Sequence, residues 1–334
     1  MIITSGAALG AVIGTIGLAA FGIFCGLLYK GFDRKIAAHM QSRTGPPVIQ
    51  PFLDVSKFMI KDTVQPERAL AWLYNAAPII SLASVITVLL YLPFGGLTFT
   101  PVLSGYGDLI LVVYLLILPA LAMVAGGFAS SSPFATVGAQ RRMITMMSYE
   151  FPLAVVAIAI AWKLNQLYPG GSVFGLAFIY SHPLWGQIGP SGIIGMLLLL
   201  FAIVVVTPGQ LATVPFDICE ASPEIAEGLT AEYSGRNFAL FYLADAAKMV
   251  AIGTLTIALF FPYDISPLIG IGGIPGSFID FLFFLVKLFL VVTLMVTLPR
   301  VAMARLKVSQ VPSIYWSATT AIAIVGLILL MIPN

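Results

Sequence analysis

Leu109 to Ala129 reads LILVVYLLILPALAMVAGGFA, twenty-one residues without a charged side chain. At a rise of 1.5 Å per residue a helix of this length is about 31 Å long, which matches the hydrocarbon core of a bilayer. Seven more stretches have the same character, at roughly 3–29, 70–92, 143–162, 191–213, 237–261, 278–298 and 312–332. In lipid only helices and closed barrels satisfy the backbone, and these runs are too long and too evenly apolar for barrel strands. The expected fold is all-α, a polytopic membrane protein of about eight spanning helices forming a single membrane domain over 1–334.

Composition agrees. Of 334 residues, 60% are hydrophobic and 9% charged, with a mean hydropathy of +1.03. Soluble chains carry about 25% charge, so two soluble domains are excluded. A net charge of +2 gives no basic face for nucleic acid. Cys25 lies in an apolar run and Cys219 in a polar loop, while His39 and His182 stand alone. No zinc, haem or iron–sulfur ligand set follows from such spacing. No phosphate-binding glycine loop or activated nucleophile stands out, so redox centres, if present, belong to partner chains. The first apolar run lacks a basic flank and a small-residue cleavage site, and is read as a retained span.

Loop charge orients the spans. Lys30, Arg34, Lys35, Arg43, Lys57, Lys61, Arg68, Arg141, Arg142, Arg236, Arg300, Arg305 and Lys307 all fall in loops on one side. The opposite loops hold only Lys163, and Lys248 and Lys287 lie within spans. The positive-inside rule makes the cation-rich side cytoplasmic and puts both termini outside. The inner loops, 30–68, 130–142, 214–236 and 299–311, also carry nine of the fourteen acids. The outer loops, 167–190 and 262–276, are short, apolar and rich in Gly and Pro. Function is expected on the inner face, and the absence of a clear internal repeat argues against inverted-repeat transporters.

Gly6, Gly10, Gly14, Gly22 and Gly26 form a small-residue stripe along the first span, suited either to ordinary helix packing or to a subunit contact. Residues 45–62, GPPVIQPFLDVSKFMIKD, are too charged to span. Phe52, Val55, Phe58 and Met59 share one helical face and Asp54, Lys57 and Lys61 the other, which predicts an interfacial amphipathic helix.

Charges inside spans cost about 2.5 to 3.5 kcal/mol each at the bilayer centre and mark pathways or pairs. Glu150 lies in the fourth span, Asp245 and Lys248 in the sixth, and Lys287 in the seventh. Asp245 and Lys248, three residues apart, could neutralise one another, or could face a hydrated path together with Glu150 and Lys287. Glu150 lies close enough to a helix end to be merely interfacial. The segment Pro215 to Arg236, PFDICEASPEIAEGLTAEYSGR, holds Asp217, Glu220, Glu224, Glu227 and Glu232. A helix over 220–228 would stack Glu220, Glu224 and Glu227 on one face. Such a row binds cations, shares protons, or is a plain solvated acidic face.

These motifs carry a resemblance. Asp33-Arg34-Lys35 followed by Gln41-Ser42-Arg43-Thr44-Gly45-Pro46 resembles the ERK…QxRxGP signature of the family of complex I subunit 1, also called the H subunit. Pro215-Phe216-Asp217 with Glu220-Ala221, then Glu232-Tyr233-Ser234-Gly235, is similar to its PFDxPEAExE…EYSG loop. Ser148-Tyr149-Glu150 matches its SYE and Leu298-Pro299-Arg300 its LPR. Departures are Asp33 for Glu, Pro47 for the Asn of GPN, Cys219 for Pro, and Ser222-Pro223 for a Glu and its neighbour. With Gln50, Asp54, Lys57, Lys61 and the stretch Ala302 to Val308, they resemble the anchor subunit of energy-converting [NiFe]-hydrogenase-type complexes. Membrane-bound hydrogenases, sulfane-sulfur reductases and formate hydrogenlyases belong to that group.

The resemblance implies a membrane anchor in a multisubunit respiratory oxidoreductase, fed by ferredoxin or formate and reducing protons or sulfur. The chain would dock a peripheral redox arm and link electron transfer to H+ or Na+ translocation in the cell membrane. It would hold no cofactor and catalyse nothing alone. Iron–sulfur clusters, and a NiFe centre where the complex is a hydrogenase, would reside in a [NiFe]-hydrogenase-like large subunit and an iron–sulfur small subunit. Antiporter-like membrane subunits complete the implied partners. Asp33, Arg34, Lys35, Arg43, Arg141, Arg142 and Arg236 would dock the arm. Glu150, Asp217, Glu220, Glu224, Glu227, Glu232, Asp245, Lys248 and Lys287 would carry the coupling path. The alternatives are the quinone-site subunit of a complex I type enzyme oxidising NAD(P)H, reduced deazaflavin or ferredoxin, and a stand-alone secondary transporter.

Overall fold

A computed structural model describes residues 5–95, 107–270 and 272–332. Of the described residues, 75% are helical. Among the described residues, eight helices are long and apolar enough to cross a membrane. They are α1 (Ser5–Met40), α3 (Ala71–Tyr91), α4 (Leu109–Ala129), α5 (Pro133–Leu167), α7 (Pro190–Gln210), α9 (Gly235–Phe260), and two composite spans. The seventh span runs from α11 (Gly273–Val292) through a π-helical turn, Thr293–Thr297, into α12 (Leu298–Ala302). The eighth runs from α13 (Gln310–Ser313) through a π turn, Ile314–Thr319, into α14 (Thr320–Met331). Shorter helices are α2 (Gln50–Ile60), α6 (Leu176–Ser181), α8 (Ser222–Ile225) and α10 (Ser266–Ile269). The chain ends, 1–4 and 333–334, lie outside the described residues, as does the beginning of the expected first span.

Pro78, Pro119, Pro152 and Pro208 sit inside spanning helices, where neighbouring helices and side chains re-satisfy the backbone groups they free. The centre of the bundle is α9. Its most apolar window is 94% buried, against 33–56% for the other spans, although its hydropathy of 1.6 is the lowest of the eight. It packs against α1, α2, α3 and α11. The span least suited to lipid is the one shielded from it, which is how a helix bearing Asp245 and Lys248 is accommodated.

Two spans run past their expected ends: the first, expected over roughly 3–29, continues to Met40. The fourth span, expected over 143–162, occupies Pro133–Leu167, because Ala135, Gly138 and Ala139 continue the helix beyond the apolar run as a buried seat for the acidic loop. At Gly138 an added Cβ would lie 2.5 Å from Leu229 N and 2.9 Å from Cys219 O. The amphipathic helix forms as α2, with Phe52 against Phe24 and Phe58 against Phe238. Asp54, expected on the solvent face beside Lys57 and Lys61, turns inward instead and pairs with Arg34 at 2.8 Å while accepting from Gln50.

The cation-rich loops converge at one end of the bundle. Leu70 N donates to Ala129 O, Val64 N to Ser234 Oγ, and Leu306 N to Pro215 O. Tyr74 and Tyr233 stack at 4.3 Å between ring centres and pin the acidic loop to α3. Gly22 and Gly26 of the small-residue stripe pack within the chain, against Leu89 and Ala246. The packing expected of Gly6 and Gly10 falls on residues whose surroundings lie outside the described part of the chain.

Candidate functional site

Three adjoining cavities run from the inner-loop surface into the bundle. The outermost, about 440 Å³, is bordered by Arg34, Gln41, Arg43, Gly45, Val214 and Arg300. A second, about 210 Å³, shares Arg34, Val214 and Arg300 with it and adds Lys30, Asp33, Asp217, Glu220 and Tyr242. The third, about 270 Å³, shares Lys30, Glu220 and Tyr242 with the second and ends at Asp245 and Met249 on α9. At about 30 Å³ per water, each inner chamber has room for several waters beside its charged side chains.

Charge is distributed along this route in a definite order. At the mouth Arg300 holds the buried Asp33 at 2.5 Å, and Thr297 donates to the same carboxylate at 2.7 Å. Arg34 bridges Asp54 on α2 and the Tyr242 hydroxyl on α9. Arg305 pairs with Asp217 at 2.6 Å. Deeper in, the Lys30 ammonium lies 4.0 Å from the centre of the Tyr242 ring and donates to the Tyr242 carbonyl.

Burial pushes the Glu220 carboxyl up to about 7, helped by the neighbouring Asp245 and Asp217 charges and opposed by Arg142 and Lys30. Burial also raises Asp217 in spite of its arginine partner, and lifts the Cys219 thiol to about 12, so that it stays protonated. Asp54 is the reverse case. Burial alone would raise it, but the hydrogen bonds from Arg34 and Gln50 bring its carboxyl below the usual range. Its pairing therefore contributes stability above the ordinary carboxylate value of 3.8, lost as pH falls through the lower folded value. Asp54→Asn is expected to loosen α2 by about 1 kcal/mol, the upper end for a partly exposed pair. Faster proteolytic cleavage within 45–62 at neutral pH would report it, and an unchanged rate would show that aromatic packing alone holds the helix.

Of the residues expected from sequence, Asp33, Arg34, Asp217, Glu220 and Asp245 come together along the cavities. Others do not. Helix α8 stops after four residues, and Ala226 and Glu227 adopt left-handed backbone as the chain turns back toward Cys219. Glu220, Glu224 and Glu227 therefore do not stack. Glu224 pairs at the surface with Arg141, Glu227 is exposed, and Glu232 contributes its carbonyl to Tyr74. Glu150 borders none of the three cavities, and its Oε1 has no hydrogen-bond partner among the described residues. Lys287 lies at the opposite end of α9, donating to the carbonyls of Phe261 and Tyr263. Asp245 and Lys248 do not form an ion pair; Lys248 donates to the Gln210 carbonyl instead.

Lys35, Arg43 and Arg236 are exposed at the end of the bundle where the cation-rich loops gather. Arg142 and Asp33 are not, at 2% and 6% exposure. Arg142 follows the helix inward and donates to the carbonyls of Gly209 and Gln210. Sequence reasoning passed over Lys30, Tyr242, Thr297, Arg300 and Arg305 as site residues. Two of them had a spacing signal: Lys30 shares a helical face with Gly26 and Arg34, and Tyr242 shares one with Asp245 and Met249.

Known proteins share both the sequence pattern and this architecture. Residues 13–331 match the family model described as NADH dehydrogenase. The chain is 30% identical over 312 residues to the H subunit of the NADH-quinone oxidoreductase of Leptospira biflexa, covering 84% of each. It is 30% identical over 310 residues to the corresponding chain of Geobacillus kaustophilus, covering 89% of this chain and 86% of that one. Among solved structures, a chain of the membrane-bound sulfane sulfur reductase, an archaeal respiratory membrane complex, superposes with a TM-score of 0.82 at 27% identity. That match covers 96% of this chain and 99% of the other.

Proposed function

Because the chain belongs to the NADH dehydrogenase subunit 1/H family and is thereby a membrane subunit of a complex I-like oxidoreductase, we propose that it docks a peripheral redox arm and converts redox events there into ion movement. The arm comprises a [NiFe]-hydrogenase-like large subunit and an iron–sulfur small subunit, reducing protons or sulfur with electrons from ferredoxin or formate. Antiporter-like membrane subunits carry the H+ or Na+. The observation that supports this reading is the graded route from an arginine-bordered bowl to Asp245, with Glu220 ionising near neutrality at its waist.

Coupling on this reading is electrostatic. An electron arriving above the bowl adds negative charge, which favours the protonated form of Glu220 and draws a proton from deeper in the bundle. Oxidation reverses the sense. Lys35, Arg43 and Arg236 contact acidic groups of the arm, while Arg34 and Arg300, already paired with Asp54 and Asp33, shape the bowl.

The test uses the intact complex in sealed vesicles supplied with its electron donor. Glu220→Gln and Asp245→Asn are expected to cut ion translocation at least tenfold while electron transfer and subunit composition persist. Undiminished translocation in both variants would end the proposal. The names of the 30%-identical relatives favour a second reading, in which the acceptor is a quinone; inhibition of the complex by quinone-site inhibitors would select it. No observation on this chain favours the stand-alone transporter.

A further inference from the structure

Lys287 takes no part in the cavities at the cation-rich end, yet it borders a cavity of its own. This crevice, about 400 Å³, lies between α7 and α11 beside the end of α9. Its walls include Leu200 of α7, Phe261 and Tyr263 after α9, and Phe283, Leu290 and Met295 of the seventh span. Among its described lining residues Lys287 alone carries a charge. Val286, Leu290 and Leu294 on its rim are at least half exposed on a spanning helix, so the crevice opens sideways toward lipid. From Lys287 to Met295 it follows the span for about 12 Å. That is most of the half-thickness of about 15 Å that the chains of one leaflet fill.

The polar end is defined by a hydrogen-bonded lysine. Side chains lean toward the N-terminus of their helix, and Lys287 donates to the carbonyls of Phe261 at 3.1 Å and Tyr263 at 2.7 Å. Phe261 is the residue that ends α9. Phe58 of α2, the helix expected at the membrane surface, touches Tyr242. From Tyr242 to Phe261 the chain climbs about 28 Å along α9. The hydrocarbon core is about 30 Å thick, which puts the head of Lys287 near its far boundary. Capping α9 uses two of the three donors of a lysine. Among the described residues no carboxylate lies within 4.0 Å of it. The acids nearest in charge interaction are Asp264 and Asp280. Both are engaged elsewhere, Asp264 by the Tyr180 hydroxyl and Asp280 by Ile265 and Ser266.

We propose that this crevice binds one phospholipid of the leaflet opposite the cation-rich loops, with one chain along α11 and the phosphate on Lys287. Shape and charge select that occupant. Spread over its length, the volume gives a slot about 6.5 Å wide, too narrow for a helix of 10–12 Å diameter and suited to a hydrocarbon chain. A cation without an adjacent anion, at the level where the chains of a leaflet meet their headgroups, calls for the phosphate that the leaflet supplies. The chain gives Leu200 and Phe283 the contacts that an empty slot would forfeit. This site is independent of the coupling function and lies at the other end of α9 from Tyr242.

The test places a diazirine-bearing leucine analogue at Leu290 in the full complex, which is extracted in mild detergent, washed free of loose lipid and irradiated. Mass spectrometry of the α11 peptide is expected to show a phospholipid adduct. The same analogue at Leu282, which does not line the crevice, is expected to show none. No lipid adduct at Leu290, equal labelling at both positions, or an adduct with another protein chain overturns the proposal. Lys287→Arg keeps a donor and is expected to keep the adduct. Lys287→Met is expected to reduce it about tenfold, the effect of losing one hydrogen bond to a charged group. An undiminished adduct in Lys287→Met overturns the proposal. Because Lys287 also caps α9, a headgroup comparison on the otherwise unaltered complex decides the matter where that variant does not assemble. Phosphatidylglycerol added to the washed complex is expected to strengthen labelling at Leu290, and diacylglycerol with the same chains is not. Equal labelling by both overturns the proposal.

Discussion

Gly26→Leu is expected to leave little intact complex in the membrane. At position 26 α1 packs directly against the backbone of α9. An added Cβ there would lie 2.2 Å from the carbonyl oxygen of Ala246 and 2.4 Å from its carbonyl carbon. These are backbone atoms of the most enclosed helix in the bundle, and Ala246 and Ala247 have no exposure at all. No rotamer change relieves such a clash, so the helices must separate. Overpacking commonly costs about 1 to 3 kcal/mol and more where backbone must move. Separation would also pull Lys30 away from Tyr242 and open the cavity wall. Gly17→Leu is the control: among the described residues nothing lies within 4 Å of a Cβ there, and assembly is expected to be unchanged. Native electrophoresis of solubilised membranes measures both, and normal assembly of Gly26→Leu would show that α1 is free to shift.

The second large effect is on pH response. With Glu220 ionising at about 7 against an ordinary value of 4.5, the folded protein binds an extra proton between those values. The unfolded chain has released its proton in that window, so the contribution of Glu220 to stability falls as pH rises from about 4.5 to 7. The carboxyl is about nine-tenths protonated one pH unit below its midpoint and one-tenth one unit above. Glu220→Gln fixes the neutral form. The wild-type complex is therefore expected to lose thermal stability between pH 5 and 7 more steeply than Glu220→Gln, and its translocation to change most steeply around pH 7. Parallel melting curves for the two across this range would place Glu220 in contact with bulk water.

The fold was legible because membrane spans are written in runs of apolar residues that no packing detail can disguise. Eight runs gave eight helices, and α2 followed from a face of Phe52, Val55 and Phe58. The gathering of motifs at one end of the bundle was equally open to reading, since Asp33 and Arg34 on the last turns of α1 and Asp217 and Glu220 in the loop after α7 lie together there. What hydropathy could not fix was helix rotation. Arg142 looks like a loop cation beside Arg141, yet one hundred degrees of helical turn sends the first inward and the second to Glu224. Asp54 likewise shares spacing with Lys57 and Lys61 but faces Arg34. The acid row failed for a different reason. Left-handed residues at 226 and 227 close the chain onto Gly138, a long-range seat that no local propensity announces.

The enclosure of α9 has a bearing on how the protein is made. Its walls come from both directions along the chain: α1, α2 and α3 are synthesised before it, and α11 after it. A helix carrying Asp245 and Lys248 must leave the ribosome and enter the bilayer before its last neighbour exists. Each charge resists insertion by about 2.5 to 3.5 kcal/mol if it meets lipid at mid-depth, and α9 has the smallest apolar drive of the eight spans. Biogenesis thus favours holding α9 beside the earlier helices until α11 closes over it, so truncation before residue 273 should strand a charged helix at the translocation machinery. The charges that the finished span shelters make its birth dependent on company.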